Sequence, residues 1–219
     1  MILGILLLSA LPTVVPANEE PLVDVVKLHP AFQLDMKYAT ADNFAKTKAY
    51  DVARCLLRKS VAEKMLRAQK WLDKKHPGTF LLFKDCYRPN DVQGILWNAV
   101  KGTKMAAYVA NPHSKTGSIH SYGAAVDLTL ATNKNGELDM GTAYDHLGKL
   151  AEPRHEKRYL KSGKLSLIEI KNRKLLRKAM LDIAGMRMIR NEWWHFNSDT
   201  ARNVRRRYSR LNVPLKAIK

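Results

Sequence analysis

Ser118-Ile119-His120-Ser121-Tyr122-Gly123-Ala124-Ala125-Val126-Asp127-Leu128-Thr129-Leu130 poses the problem that the fold has to solve. From Ala124 on, this stretch is an apolar run of strand length. It is closed by the turn-forming Thr132-Asn133-Lys134-Asn135-Gly136, and it reads as a core strand. Asp127 lies inside it. Burying an unpaired carboxylate costs several kcal/mol, so Asp127 calls for a partner or a metal. Two further stretches concentrate side chains that cores rarely want: Asp85-Cys86-Tyr87-Arg88-Pro89 and Glu192-Trp193-Trp194-His195.

Outward from these, Thr79 to Cys86 is aromatic and apolar between Gly78 and Pro89, which predicts a second buried strand. Met186 to Arg190 alternates and feeds Glu192 to Phe196, a third strand or hairpin. Leu34 to Tyr38 alternates with period two, as a half-buried strand does. Ser60 and Glu63 have capping-box spacing, followed by Val61, Met65, Ala68 and Leu72 on one helical face, with His76-Pro77-Gly78 as the stop. Asn90 to Val100 predicts a short helix before a polar loop near 102–118. Ile168, Leu175, Leu176, Ala179, Met180 and Ile183 predict another helix, stopped by Gly185. Strands and helices do not alternate regularly enough for a doubly wound parallel sheet. The expected class is α+β, a central antiparallel sheet flanked by helices.

The chain has 219 residues, 46% of them apolar, enough for one sizeable core and too many for wholesale disorder. No repeat period is present, which excludes solenoids and propellers. Met1 to Ala17 is the only long apolar run, and it reads as a secretory signal with cleavage after Ala17. The expected organisation is therefore a signal at 1–17, a domain at 18–201 and a basic tail at 202–219, with a periplasmic or secreted location and no stable membrane span. Lys and Arg number 38 against 20 Asp and Glu, a net charge of +18. The densest cluster is Arg202, Arg205, Arg206, Arg207, Arg210, Lys216 and Lys219, with no acidic residue among them. For an exported protein the natural partner of that charge is the anionic cell envelope, with nucleic acid the lesser alternative. Cys55 and Cys86 are too few for a disulfide scaffold, and neither sits in a Cys-x-x-Cys. An oxidising compartment favours a Cys55–Cys86 bridge over two free thiols.

Two imidazoles and one carboxylate, with a fourth position left to water, form a typical catalytic zinc site. His120, Asp127 and His195 supply that set, and no thiolates stand at spacings that would close it. Glu192 precedes His195 by three residues, near enough to serve water as a general base. Positions three apart on a regular strand face opposite ways, so this reading needs a turn, bulge or strand end near Trp193. His29, His76, His113, His146 and His155 read as ordinary surface or hydrogen-bonded histidines.

Ser-x-His-x-x-Gly-x-Ala-x-Asp followed by Glu-x-x-His resembles the zinc D,D-peptidase superfamily, which shares its fold with the amino-terminal domain of Hedgehog proteins. More narrowly, the chain resembles the D-alanyl-D-alanine dipeptidases of the vancomycin-resistance type. The matching stretches are Asp35 to Phe44, Asp85 to Pro89, Ser118 to Leu130, Met140 to Asp145 and Glu192 to His195. The resemblance implies one zinc ion held by His120, Asp127 and His195, with Glu192 as catalytic base. It implies that Arg88, oriented by Asp85, stabilises the oxyanion. Asp145 and Tyr38 would receive the substrate's free amino group, and Ser118 would lie near its carboxylate. The implied activity is hydrolysis of D-Ala-D-Ala by metal-activated water. The alternative is a D,D- or L,D-carboxypeptidase acting on longer peptidoglycan stem peptides. The segment between Pro89 and Ser118 is shorter than in the resistance-type enzymes, so this part of the pocket wall is the chain's own.

Overall fold

Apolar side chains at period two along the central strands, and at helical period on their flanks, bring one mixed sheet and its covering helices together in a computed structural model that describes residues 19–218. The expected signal at 1–17 lies outside the described residues. The chain runs β1 (Leu22–Asp24), β2 (Gln33–Leu34), β3 (Leu56–Arg58), α1 (Lys59–Lys75), β4 (Thr79–Asp85), α2 (Asn90–Val100), β5 (Ala125–Thr132), β6 (Gly136–Glu137), α3 (Glu156–Lys161), α4 (Leu167–Arg177), β7 (Arg187–Met188), β8 (His195–Asn197) and α5 (Ala201–Arg207). No helix among the described residues is long and apolar enough to cross a membrane.

The main sheet has the order β2-β4-β5-β8-β7, with β6 on the far end of β5, while β1 and β3 form a separate antiparallel ribbon. Pairing is antiparallel apart from β2, which joins β4 in parallel. β5 is central and almost wholly buried, which explains its near-continuous apolar run. Val126 and Leu128 enter the core, and Asp127 between them turns to the other face. Asp127 is registered opposite Asp85 on one side and His195 on the other, so three chemically loaded residues stand in one row.

Several expectations need correction. The strand expected over Leu34 to Tyr38 stops at Leu34: Asp35 N–H still bonds Phe83 C=O, and then the chain coils into a 3-10 turn at Lys37–Ala39. Its alternation survives only as burial of Met36 and Tyr38. α1 buries Val61, Met65, Ala68 and Leu72 as expected, yet it starts from Arg58 without a side-chain cap. Ser60 lies inside its first turn, where its N–H donates to Glu20 and its hydroxyl lies 3.3 Å from that of Tyr208. The true capping box is Ser166 with Glu169, opening α4.

The basic segment after Arg202 does not trail from the domain. Leu211, Val213 and Leu215 are buried, Leu211 N–H bonds Ser121 C=O, and the Tyr87 hydroxyl exchanges hydrogen bonds with Val213. Apolar residues alternate with polar ones there, a strand-like period that the arginines mask in a charge count.

Cys55, just before β3, is disulfide-bonded to Cys86, just after β4. The bridge spans a sequence separation of 31 residues, for which loop-closure entropy corresponds to about 3–4 kcal/mol. The Cys55→Ala/Cys86→Ala variant should lose stability of that order in urea unfolding. A midpoint that is the same with and without reductant in the parent protein would contradict the bridge.

Candidate metal centre and active site

The turn that feeds β5 places the first ligand. Ser118 Oγ accepts the backbone N–H of His120 and caps a 3-10 turn at Ile119–Tyr122. Gly123 then reverses the chain at φ +69°, a left-handed conformation that favours glycine, and a Cβ there would crowd Leu22 Cδ2. β5 carries Asp127 and β8 begins at His195, directly across the ladder. Glu192 precedes β8 in an irregular bend, which supplies the strand end that its spacing from His195 needs.

Three atoms converge. His120 Nε2 lies 3.1 Å from His195 Nδ1 and 3.2 Å from Asp127 Oδ1, and the latter two atoms are 2.9 Å apart. Tetrahedral zinc with bonds of about 2.0–2.1 Å separates its ligand atoms by roughly 3.3 Å, close to this triangle. The remaining ring nitrogens settle the tautomers. His120 Nδ1 donates to the Cys86 carbonyl at 2.7 Å, and His195 Nε2 donates to Asn197 Oδ1 at 2.9 Å. Each imidazole therefore turns a bare lone pair inward. Three buried lone pairs at this distance repel one another unless a proton or a metal cation lies between them, and the donor set fits a divalent metal such as the zinc expected from it.

The electrostatics agree. Burial alone would raise Asp127, but the charge and hydrogen bonds of His120 and His195 hold its carboxyl well below the usual range. Burial opposes protonation of His195, yet the hydrogen bond and charge of Asp127 push it above the ordinary histidine value. Both shifts report a locus that favours positive charge. Glu192 Oε2 stands 3.9 Å from His195 Nδ1, and burial pushes its carboxyl up to about 7.

Tyr38, Arg88, Ser118, His120, Asp127, Asp145, Glu192 and His195 all line one cavity of 230 Å³, below the roughly 300–1,000 Å³ of drug-sized sites. Asp85 lies behind it, fully buried, accepting from the Tyr50 hydroxyl and from Arg88 Nε at 2.7 Å. Asp145 is held at φ +61°, a left-handed conformation that Asp tolerates better than most residues. Tyr38 donates to its Oδ1 at 3.1 Å, while its Oδ2 is buried without any partner. Burial, and after it the charge of Asp127, raise the Asp145 carboxyl well above its ordinary value. The cavity thus has an electron-rich corner built for a cation that the protein does not itself provide.

Four contributors had no role in the sequence reading. The Tyr144 hydroxyl lies 3.1 Å from Asp127 Oδ2 and 3.2 Å from the Tyr38 hydroxyl, joining the ligand set to the Asp145 corner. Asn197 fixes the His195 tautomer, and its place two residues along β8 was a usable signal. Tyr50 and Gln93 reach the site only through tertiary packing. Among the other histidines, His29 pairs with Asp73 and His155 with Glu152, away from the ligand set.

The sequence profile of the family described as D-ala-D-ala dipeptidase matches residues 18–214. The D-alanyl-D-alanine dipeptidase of Escherichia coli K12 is 33% identical over 175 residues, covering 80% of this chain and 83% of the relative. The enzyme of the same description from Enterococcus faecalis V583 is 30% identical over 74% of this chain and 83% of its own length. A vancomycin-resistance D,D-pentapeptidase solved with Zn(II) is 15% identical over 68% of this chain and 78% of its own, with a TM-score of 0.31.

Substituting His120→Ala or His195→Ala should abolish stoichiometric zinc uptake in metal analysis of the folded protein. Asn197→Leu, which frees the His195 ring, should weaken zinc by about 10–100-fold in a competition titration. Unchanged affinity in Asn197→Leu would mean that the tautomer is set elsewhere.

Proposed function

The chain belongs to the D-alanyl-D-alanine dipeptidase family of zinc metallopeptidases, and on that premise we propose that it cleaves D-Ala-D-Ala with His120, Asp127 and His195 as metal ligands, Glu192 as base, and Asp145 as receptor for the free amino group. The observation that carries this reading is a small cavity with two separate demands for positive charge, one at the triad and one at Asp145 Oδ2. A free dipeptide has an ammonium group a few atoms from its scissile carbonyl, and so meets the second demand while presenting that carbonyl to the first.

Zinc, when bound, supplies Lewis-acid polarisation of the carbonyl and acidifies water. Glu192 takes a proton from the attacking water and returns it to the departing amine. A carboxyl near 7 is suited to both directions, and the cation beside it shifts it toward the carboxylate form needed first. Arg88 lines the same cavity with its cation fixed by Asp85, so it can meet the charge that grows on the carbonyl oxygen without reorganising. Ser118 Oγ accepts from a backbone N–H, which leaves its own proton for the substrate carboxylate.

Asp145 also favours dipeptides over longer stem peptides. An acylated amine brings no charge to meet this carboxyl, whose Oδ2 is buried without a partner. The Cys55–Cys86 bridge and the apolar Met1 to Ala17 run support action outside the cytoplasm, and a net charge of +18 supports contact with an anionic envelope.

Glu192→Gln should keep zinc and lose turnover on D-Ala-D-Ala by orders of magnitude, and near-normal kcat would remove it as the base. Asp145→Asn keeps the left-handed backbone. It should lower kcat/KM for D-Ala-D-Ala by about 10²–10³-fold, the cost of an unmatched buried charge, while N-acetyl-D-Ala-D-Ala is little affected. Equal losses on both substrates would favour the carboxypeptidase reading.

A further inference from the structure

We propose that Gln93 is a positioning residue for Arg88, and that it must be a neutral amide for Arg88 to act on the oxyanion; the inference rests on the role given to Arg88 above. Gln93 is fully buried on α2, five residues beyond Arg88. Its Oε1 accepts from Arg88 Nη1 at 2.7 Å, and its Nε2 donates to the Ala110 carbonyl at 2.7 Å. Ala110, with Tyr108 and Val109, forms one wall of the catalytic cavity. One amide therefore ties the guanidinium and that wall together.

Asp85 grips Arg88 along the Nε and Nη2 edge. A grip on one edge leaves the guanidinium free to rock about it, and Gln93 holds the opposite corner. Misplacing a reacting group by about 1 Å can cost 10²-fold in rate, so the second hold matters more for kcat than for ground-state binding. Only an amide meets both partners. Glutamate has the same length and could accept from Nη1, but it has no donor for the Ala110 carbonyl. It would also set a second carboxylate directly on Arg88, which already pairs with Asp85 and lies 3.5 Å from Asp127, and would compete with the oxyanion for what cationic character remains. Methionine fills the volume but offers Arg88 only a weak sulfur acceptor and has no donor for the Ala110 carbonyl.

The test uses the zinc-loaded protein with Gln93→Glu and Gln93→Met, each made in the parent and in an Arg88→Ala background. kcat and KM for D-Ala-D-Ala and bound zinc are measured. In the parent, both substitutions should lower kcat by about 10–100-fold with KM and zinc content little changed. In the Arg88→Ala background Gln93→Met should lower kcat far less than in the parent, because no guanidinium is left to position and only the Ala110 contact is lost. Losses that multiply in the two backgrounds, or that fall on KM or zinc content instead of kcat, would overturn the proposal and leave Gln93 a packing residue. Arg88→Ala with parental kcat would instead overturn the oxyanion role and this inference with it. The near-isosteric Gln93→Glu keeps the test decisive should Gln93→Met fail to fold.

Discussion

Three buried lone pairs facing one another at about 3 Å are unfavourable in any protein unless something positive stands among them. The rest of the molecule follows from that constraint. Ligands that repel cannot be left on mobile loops, so Asp127 is placed on the central, almost wholly buried strand and His195 on its neighbour, in register. His120 is pinned by a capped turn and by the Cys86 carbonyl. The Cys55–Cys86 bridge and the Leu211 to Leu215 segment brace the backbone on which those contacts depend. Rigidity here is electrostatic in purpose, since it stops the ligand set from relaxing apart when no cation is present.

Four carboxyls around one small cavity illustrate how environment assigns chemistry. Asp85 is given to a guanidinium and a phenol, which makes it a structural anion. Asp127 is drawn far down by two imidazoles. Glu192 is buried and rises to about 7, within reach of proton traffic in both directions. The Asp145 carboxyl has one oxygen buried without a partner and the other held by a tyrosine hydroxyl, and it rises well beyond its ordinary value. In the proposed reaction the same functional group serves as brace, ligand, base and receptor because its neighbours differ.

The sequence made the central parts legible because their physical requirements are local. An aspartate inside an apolar strand, glycine at the left-handed turn before it, and helical periodicity ahead of His76 all leave marks on consecutive residues. What stayed hidden depends on partners far along the chain. Ser60 has capping-box spacing, yet Glu20 and Tyr208 claim its polar groups, and the box forms at Ser166 instead. Alternation at Leu34 to Tyr38 serves burial of two side chains in a coiled turn rather than a longer strand. Arginine density concealed the buried Leu211, Val213 and Leu215, because net charge averages over both faces of a segment. Gln93 and Tyr144 are ordinary residues until tertiary packing sets one beside Arg88 and the other between Asp127 and Tyr38.

The Tyr38–Tyr144 pair also gives the two electropositive demands of the cavity a common energetic footing. Asp145 is raised first by burial and next by the negative charge of Asp127, so whatever offsets Asp127 makes it easier for Asp145 to ionise. A cation at the triad does this directly. The Asp145 corner becomes a better ammonium receptor only once the ligand set is filled. By linkage, an ammonium at Asp145 must favour the cation at the triad by the same factor. The hydroxyls of Tyr38 and Tyr144 stand between the two loci as neutral dipoles, their own ionisation suppressed by burial and by the surrounding carboxylates. A pair of neutral phenols there keeps the two charges apart without insulating them, whereas a charged side chain in either place would bind one cation at the expense of the other.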